Sequence, residues 1–367
     1  MELGCRRQRI GHCNMVALQE KERRKVQISG KSSCMVALPK KWVREMGLRQ
    51  GSEIVITRPS LASLLVTADV TEPVSERQEA IIEVSDRDGP DSLFRKIVSL
   101  YILGYSQISI RGGNGFLGSA KRDAIKDLVR RHLIGTEGVA DSKDKITVHV
   151  LLGYSELSVD NALKKMLLIT SSMHRDAAAA LENHDKALAE GVIQRDDEVG
   201  RFGLYVIRQL NVSISQGISK EAILEPRDLL GYTQVARSVE RIASHASRMA
   251  KVVAVLDKPL SKQLVVRLGS MSEYAAGLVE EALLSLFKRD YGGADVVVEK
   301  AKRFVDMEDE LIRSLDEREI QAYYTIQLLV DSQKRIAEYA RDIAEVVLDL
   351  TIERVVRKEA APYLRAV

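Results

Sequence analysis

Cysteine is scarce in this chain, aromatic residues are few, and long apolar runs are missing. Each shortage removes a class of protein. Three cysteines in 367 residues (Cys5, Cys13 and Cys34) cannot build a disulfide framework, and an odd number points to a reducing, cytoplasmic setting. No apolar run approaches the ~18 residues that span a bilayer. Residues 1–22 do not read as a signal peptide, because no continuous apolar stretch follows the arginines. Cys5, His12 and Cys13 lack a fourth metal ligand, so this stretch reads as a disordered leader, with Met15 as an alternative start. Aromatics make up only 5% of the chain, so its core must be aliphatic. GxSxG, Walker A, HExxH and CxxC strings are all missing. The six histidines (His12, His132, His149, His174, His184, His245) have no partner at metal spacing; His245 reads as a capping or core-edge residue. A non-enzymatic protein is expected.

What is present is charge, unevenly spread. The net charge of +3 is too small to make the whole molecule a nucleic-acid binder. Residues 1–60, however, are rich in Lys and Arg, while residues 295–353 hold clusters of Asp and Glu. That split suggests a polyanion partner at one end and a different task at the other. The length allows two or three domains, and the composition suits a helix-rich globular chain.

The first patterned stretch is Arg23–Ala68. Strand-like runs cover Lys25–Ile28 and Met35–Leu38, with a turn at Ser29-Gly30-Lys31 between them. Pro39 opens a short helix ending at Gly47. A Gly51-Ser52 turn leads to Glu53–Thr57, and a last run covers Leu64–Val66. A piece this small buries too little surface to be stable alone, so it should pair with a copy of itself. Three segments, Val26-Gln27-Ile28-Ser29-Gly30-Lys31, Val36-Ala37-Leu38-Pro39-Lys40-Lys41-Trp42 and Leu48-Arg49-Gln50-Gly51-Ser52-Glu53-Ile54, resemble the SpoVT/AbrB family of DNA-binding modules. The resemblance implies a homodimer in which two chains exchange hairpins, with a basic face on DNA. Spacing alone shows only a basic β-rich module over residues 23–70. Lys25, Lys31, Lys40, Lys41, Arg44 and Arg58 are the candidate phosphate contacts. Trp42 is expected to anchor the dimer core rather than stack on bases.

After a linker around Pro73, residues 80–153 alternate strand and helix. Strands are expected at Ala80–Val84, Gln107–Arg111 and Lys145–Leu152, and helices at Ser92–Leu103 and Ser119–His132, with Asp88-Gly89-Pro90-Asp91 as turn and cap. So small an α/β domain needs other surfaces to lean on. Its Gly113-Asn114-Gly115-Phe116-Leu117-Gly118 loop has the GxGxxG form. That form fits a phosphate cradle or a plain connection capped by Ser119, and the sheet is too small for a dinucleotide fold, which favours the connection.

From about residue 156 the period is helical. Leu163, Met166, Met173, Ala177 and Ala180 form one stripe. Val235, Val239, Ile242, Ala246, Met249, Val253 and Leu256 form a second, and Ile336, Ala340, Ile343, Val347 and Leu350 a third. Breaks are expected at Gly191, Gly217–Pro226, Lys258-Pro259, Tyr291-Gly292-Gly293 and near Asp316, giving about six helices packed as a bundle. The region also repeats. Asp197 in Arg195–Arg201 matches Asp309, 112 residues on, and Arg241 in Ser238–His245 matches Arg335, 94 residues on. Unequal spacing excludes a constant-period solenoid and fits a duplicated three-helix unit with a longer connection in its first copy. Two such halves, carrying Asp196-Asp197-Glu198-Val199 and Glu240-Arg241-Ile242-Ala243-Ser244-His245-Ala246, resemble the PhoU family of phosphate-signalling helical bundles.

The expected fold is thus multidomain α+β: a swapped-hairpin module, a small α/β domain, and a PhoU-like bundle of two three-helix repeats over 156–357. The pairing of the two resemblances implies a phosphate-uptake regulator of archaeal type, with a DNA-binding head and a sensing bundle. The rival is an adaptor that docks on phosphate transporter subunits or a histidine kinase and uses its first module only to dimerise.

Some PhoU members hold metal through Glu/Asp-x-x-x-Asp pairs. Here the first half fails that pattern, since Asp196 is followed four later by Gly200 and Glu240 by Ser244. In the second half Glu338, Asp342, Glu345 and Asp349 form an acidic stripe, and Asp306 and Glu310 are an i,i+4 pair, yet Ile312 and Lys334 interrupt the strict motif. A solvated acidic face paired with Arg303, Arg313, Arg335 and Arg341 is the favoured reading. The competing one is a divalent or iron/zinc cation on Asp306, Glu310, Glu338 and Asp342.

Overall fold

The computed structural model describes residues 21–30, 33–60, 63–68, 79–85, 88–113, 115–151, 157–215 and 226–356. The chain forms two compact units, Met1–Pro73 and Val74–Val367.

The first unit holds two hairpins around a short helix. β1 (Gln27–Ser29) pairs with β2 (Ser33–Met35), α1 spans Lys40–Glu45, and β3 (Ile54–Ser60) pairs with β4 (Ser63–Ala68) as a separate sheet. β2 begins and ends earlier than the expected Met35–Leu38 run. Ser29 pairs with Ser33, Gly30 has φ +74°, and Val36–Leu38 lead into Pro39, which has no N–H for a ladder. Among the described residues of this unit no side chain is fully buried, and Ile28 is 83% exposed. Apolar residues are present, but among the described residues they form no core.

The second unit begins with a four-stranded sheet: β5 (Glu79–Val84), α2 (Pro90–Ile102), β6 (Gln107–Gly112), α3 (Ser119–His132), β7 (Thr136–Asp141) and β8 (Lys145–Val150). The strand order is β5-β6-β8-β7, parallel between β5 and β6 and antiparallel elsewhere. Strand β7 was not expected. Its sequence, Thr-Glu-Gly-Val-Ala-Asp, lacks an apolar alternation, and pairing with β8 imposes the extended form. Ile82, Val84, Ile108, Ile110, Ile146 and Val148 pack against Leu93, Ile97 and Tyr101 of α2 and Ile125 and Val129 of α3.

Six long helices follow: α4 (Val159–Asn183), α5 (Lys186–Ser215), α6 (Pro226–Val255), α7 (Lys262–Lys288), α8 (Tyr291–Arg313) and, after the four-residue α9 (Glu317–Ile320), α10 (Tyr323–Thr351). All three expected stripes face the core, with Leu256 and Leu350 at its edge. Helices α4, α5 and α6 pack on one another, as do α7, α8 and α10, and the halves meet α4 on α7 and α6 on α10. The expected break at Gly191 is absent. The chain turns earlier, at His184 (φ +51°), and Asp185 caps the next helix by accepting from the Leu188 N–H at 2.9 Å. Gly191 lies inside α5, where it costs about 1 kcal/mol relative to alanine and does not end the helix.

The unequal repeat spacing has a structural cause. α5 runs about five turns past Asp197, whereas α8 stops about one turn past Asp309. The extra length in the first copy is therefore mostly helix and not the expected longer connection. That extension carries the α/β block, because α2 and α3 pack on α5.

Candidate functional site

The acids singled out in the sequence lie along α8 and α10, and α10 forms a seam with α6. The seam is antiparallel: Arg227 at the start of α6 reaches Glu353, beyond the end of α10, at 2.9 Å. The repeat that matches Arg241 with Arg335 also matches His245 with Tyr339. These two rings touch across the seam, with centroids 5.8 Å apart, and the Arg241 guanidinium lies 5.5 Å from the Tyr339 ring. Equivalent positions thus meet each other, as a two-fold arrangement of the halves requires.

Around this meeting point the charges reverse. Arg237, Glu240, Arg248 and Lys251 on α6 correspond to Asp331, Lys334, Asp342 and Glu345 on α10. Across the seam one pair of opposite signs comes together, the Arg241 guanidinium with the Asp342 carboxyl. The electrostatics reflect this mixture. Burial pushes the Asp342 carboxyl up, opposed by Arg341 and Arg241 and reinforced by Glu338. Burial and Arg248 hold the His245 imidazole below its ordinary value, against Asp331 and Glu338. His245 is half-buried at the edge of the seam.

The four proposed metal ligands are not brought into one cluster. Asp306 and Glu310 are exposed on α8, Glu338 pairs with Arg335 at 2.9 Å, and Asp342 lies 3.8 Å from Arg341. Among the described residues no three His, Cys, Asp or Glu side chains lie together as a metal site would need. The acid that does face α10 is Glu308, and it meets Lys334 Nζ at 2.7 Å. An ammonium thus joins α8 to α10 beside these acids. In the first half Asp196, the counterpart of Glu308, accepts from Ser244 Oγ at 3.3 Å, and burial pushes that carboxyl up.

The basic residues of the first unit are spread over several of its elements. Lys25 precedes β1, Lys40, Lys41 and Arg44 share α1, and Arg58 lies in β3; all are exposed. Lys31 falls outside the described residues. The glycine loop is occupied by backbone. The Gly113 N–H donates to Val84 O at 2.8 Å, Gly115 N–H to Gly112 O at 3.0 Å, and Leu117 N–H to Lys143 O at 3.0 Å. Three donors that an anion would need are spent, and Gly118 rather than Ser119 is the helix cap.

One functional contact escaped the sequence reading. Arg208, in the α5 extension, is buried and donates to Tyr101 O at 2.6 Å, Tyr105 O at 3.0 Å and Gly104 O at 3.4 Å, while its guanidinium lies 5.0 Å from the Tyr101 ring. Asn211 adds a bond to Ile102 O at 3.1 Å. A cation thus closes the C-terminus of α2, where the helix dipole is negative. The available signal was a guanidinium inside the apolar run Leu204–Ile214.

The match to a family model falls on the helices. Residues 163–253, within α4–α6, match the model of the PhoU domain. The phosphate-specific transport system accessory protein PhoU homolog of Borreliella burgdorferi is 34% identical over 85 residues, 23% of this chain and 38% of its own length. The chain thus spans well under half of that relative. The protein of the same name from Zymomonas mobilis is 25% identical over 174 residues, 46% of this chain and 73% of its own. Among solved structures, PhoU from Pseudomonas aeruginosa aligns at 25% identity with a TM-score of 0.48, covering 53% of this chain and 96% of that one. The phosphate transport system regulatory protein PhoU from Streptococcus pneumoniae aligns at 16% identity and 0.47, covering 55% and 96%.

Proposed function

We propose that this chain is a non-enzymatic, cytoplasmic regulator of phosphate transport. The observation that carries the reading is the duplicated three-helix region, whose first half holds the PhoU-domain match and whose curated relatives are phosphate-transport accessory proteins. The helical region receives the signal, and the N-terminal module delivers the output by binding DNA as a homodimer. The exposed apolar side chains of that module support pairing with a second copy, which would supply the missing core. Its exposed Lys25, Lys40, Lys41, Arg44 and Arg58 support phosphate contacts, which pairing would double.

A second reading is an adaptor that docks on transporter subunits or a signalling kinase, with the N-terminal module only dimerising. It is favoured by the placement of the matched residues, which lie on the helices and not on the basic module. Genome-wide mapping of DNA bound by the full chain, with and without phosphate, separates the two. Sites near phosphate-transport genes, lost when Lys25, Lys40, Lys41, Arg44 and Arg58 become Ala, are the expected result. Co-purification with transporter subunits in the absence of any bound DNA would instead establish the adaptor.

A further inference from the structure

Away from the α6–α10 seam, the halves meet a second time, α4 against α7, and there they leave a groove of about 720 Å³. Its apolar walls mix small residues, Ala178 and Ala179 on α4 and Gly269, Ala276 and Gly277 on α7, with Leu181, Val265, Val266 and Leu268. Gln333 of α10 lines it and is fully buried. Its Nε2 donates to Leu268 O at 3.0 Å, which fixes the amide, and its Oε1 has no donor. Beside it His174 Nε2 and Ser272 Oγ lie 2.9 Å apart. Burial pushes the imidazole down to about 4, so it is neutral near pH 7. The buried lining thus has no charge and one open acceptor.

The rim is acidic. Glu182 comes from α4, and Glu273 and Glu280 come from α7; all three are exposed, and none makes an ion pair or hydrogen bond among the described residues. Arg175 is the single basic side chain along the groove. Glu273 and Glu280 stand seven residues apart on one helix, about 10 Å along its axis. An aliphatic chain of nine single bonds, the backbone length of three extended residues, also spans about 10 Å.

We propose that the groove between α4 and α7 binds a linear aliphatic polyamine. Its methylenes lie along the apolar walls. Its terminal ammonium groups meet Glu273 and Glu280, with Glu182 facing them from α4, and its internal amine donates to Gln333 Oε1. A protein helix is the poorer occupant. It is 10–12 Å wide with its side chains, and the groove has the volume of a small-molecule site.

The test is calorimetric titration of the full chain with spermidine, putrescine and magnesium. Saturable one-site binding of spermidine is expected, about tenfold tighter than putrescine, whose shorter chain cannot reach both glutamates. Replacing Glu273→Gln and Glu280→Gln together should weaken spermidine about tenfold, whereas Asp309→Asn with Glu317→Gln, off the groove, should change nothing. Gln333→Met should weaken it by a smaller factor; if that variant does not fold, the two exposed glutamates still decide. Failure of spermidine to saturate overturns the proposal. So does equal affinity for putrescine, or undiminished binding in the double variant. Displacement by magnesium at matched charge would mean diffuse attraction only, and binding of a basic amphipathic peptide in place of spermidine would assign the groove to a protein partner.

Discussion

The two halves of the helical region share a plan and differ in where they place charge. The first half carries arginine and lysine along α6 at Arg237, Arg248 and Lys251. The second carries Asp331, Asp342 and Glu345 at the same places on α10. Only positions at the axis meet their equivalents, as His245 and Tyr339 do, so the reversal gives the two halves outer faces of opposite charge. The halves also differ in reach. α5 overshoots its counterpart α8 and uses the overshoot to grip the α/β block. One half has become a holder of a neighbouring domain, while the other has stayed short.

That contrast breaks most sharply at Arg208. In the short α8 no residue stands in its place, so its removal should affect the first half alone. Arg208→Ala leaves three carbonyls at the end of α2 without their charged donor, and it removes the cation over Tyr101. A loss on the order of 4 kcal/mol in urea unfolding is expected. Amide exchange should quicken in α2 and α3 and stay slow in α7–α10. Uniform acceleration throughout would show that the α/β block is not held separately by α5. Gly104→Ala strikes the same joint from the other side. Its φ of +92° disfavours any Cβ, and an added one would sit 2.7 Å from Val212 Cγ2.

The next effect sets His174 against its counterpart. The cap residues His184 and Arg289 align α4 with α7 and place Val279 opposite His174. The first half thus buries a titratable ring where the second buries an aliphatic side chain. In the folded chain the ring stays neutral down to about pH 4, while in the unfolded chain it protonates near 6.5. Folding therefore excludes a proton between these values. Stability is complete above about pH 6.5 and falls as the pH drops toward 4, by up to about 3 kcal/mol. His174→Val should flatten that slope in unfolding curves taken at stepped pH. A slope identical to that of the wild type would mean the ring is not the group that titrates.

Much of this architecture was legible beforehand, for reasons of period. Val235 to Val253 and Ile336 to Val347 step by fours and threes, and only a helix buries such a row on one side. Strand β7 was not legible, since Thr136–Asp141 has no alternation and is extended by its partner alone. Gly191 misled because a glycine marks a break only when the chain has somewhere to turn, and Asp185 had already supplied the cap. The acids of the second half were visible, but their pairing was not. Lys334 read as a flaw in a metal motif, and the structure shows it as the partner of Glu308. Gln333 and Ser272 gave no sequence signal, because two polar residues within amphipathic helices look like surface until the halves are packed together.

The smallest effect tests whether the halves solve one problem in two ways. Between α8 and α10 the join is an ion pair, Lys334 with Glu308 at 2.7 Å. Between α5 and α6 it is a single hydroxyl-to-carboxyl hydrogen bond, Ser244 to Asp196 at 3.3 Å. Lys334→Met should cost about 1 kcal/mol, since the pair is only half-buried. Ser244→Ala should cost about half of that, since the bond is long and exposed. The informative variant is Lys334→Glu, which sets three carboxylates together at Glu308, residue 334 and Glu338. In chelator it should be less stable than Lys334→Met, through repulsion of like charges across α8 and α10. A divalent cation should restore it and leave both Lys334→Met and the wild type unmoved. Thermal unfolding of the three proteins with and without manganese reads this directly. Rescue limited to Lys334→Glu would mean that the ammonium does in this chain what a bound cation would otherwise do. Equal stabilisation of the wild type would place a cation site elsewhere on the second half.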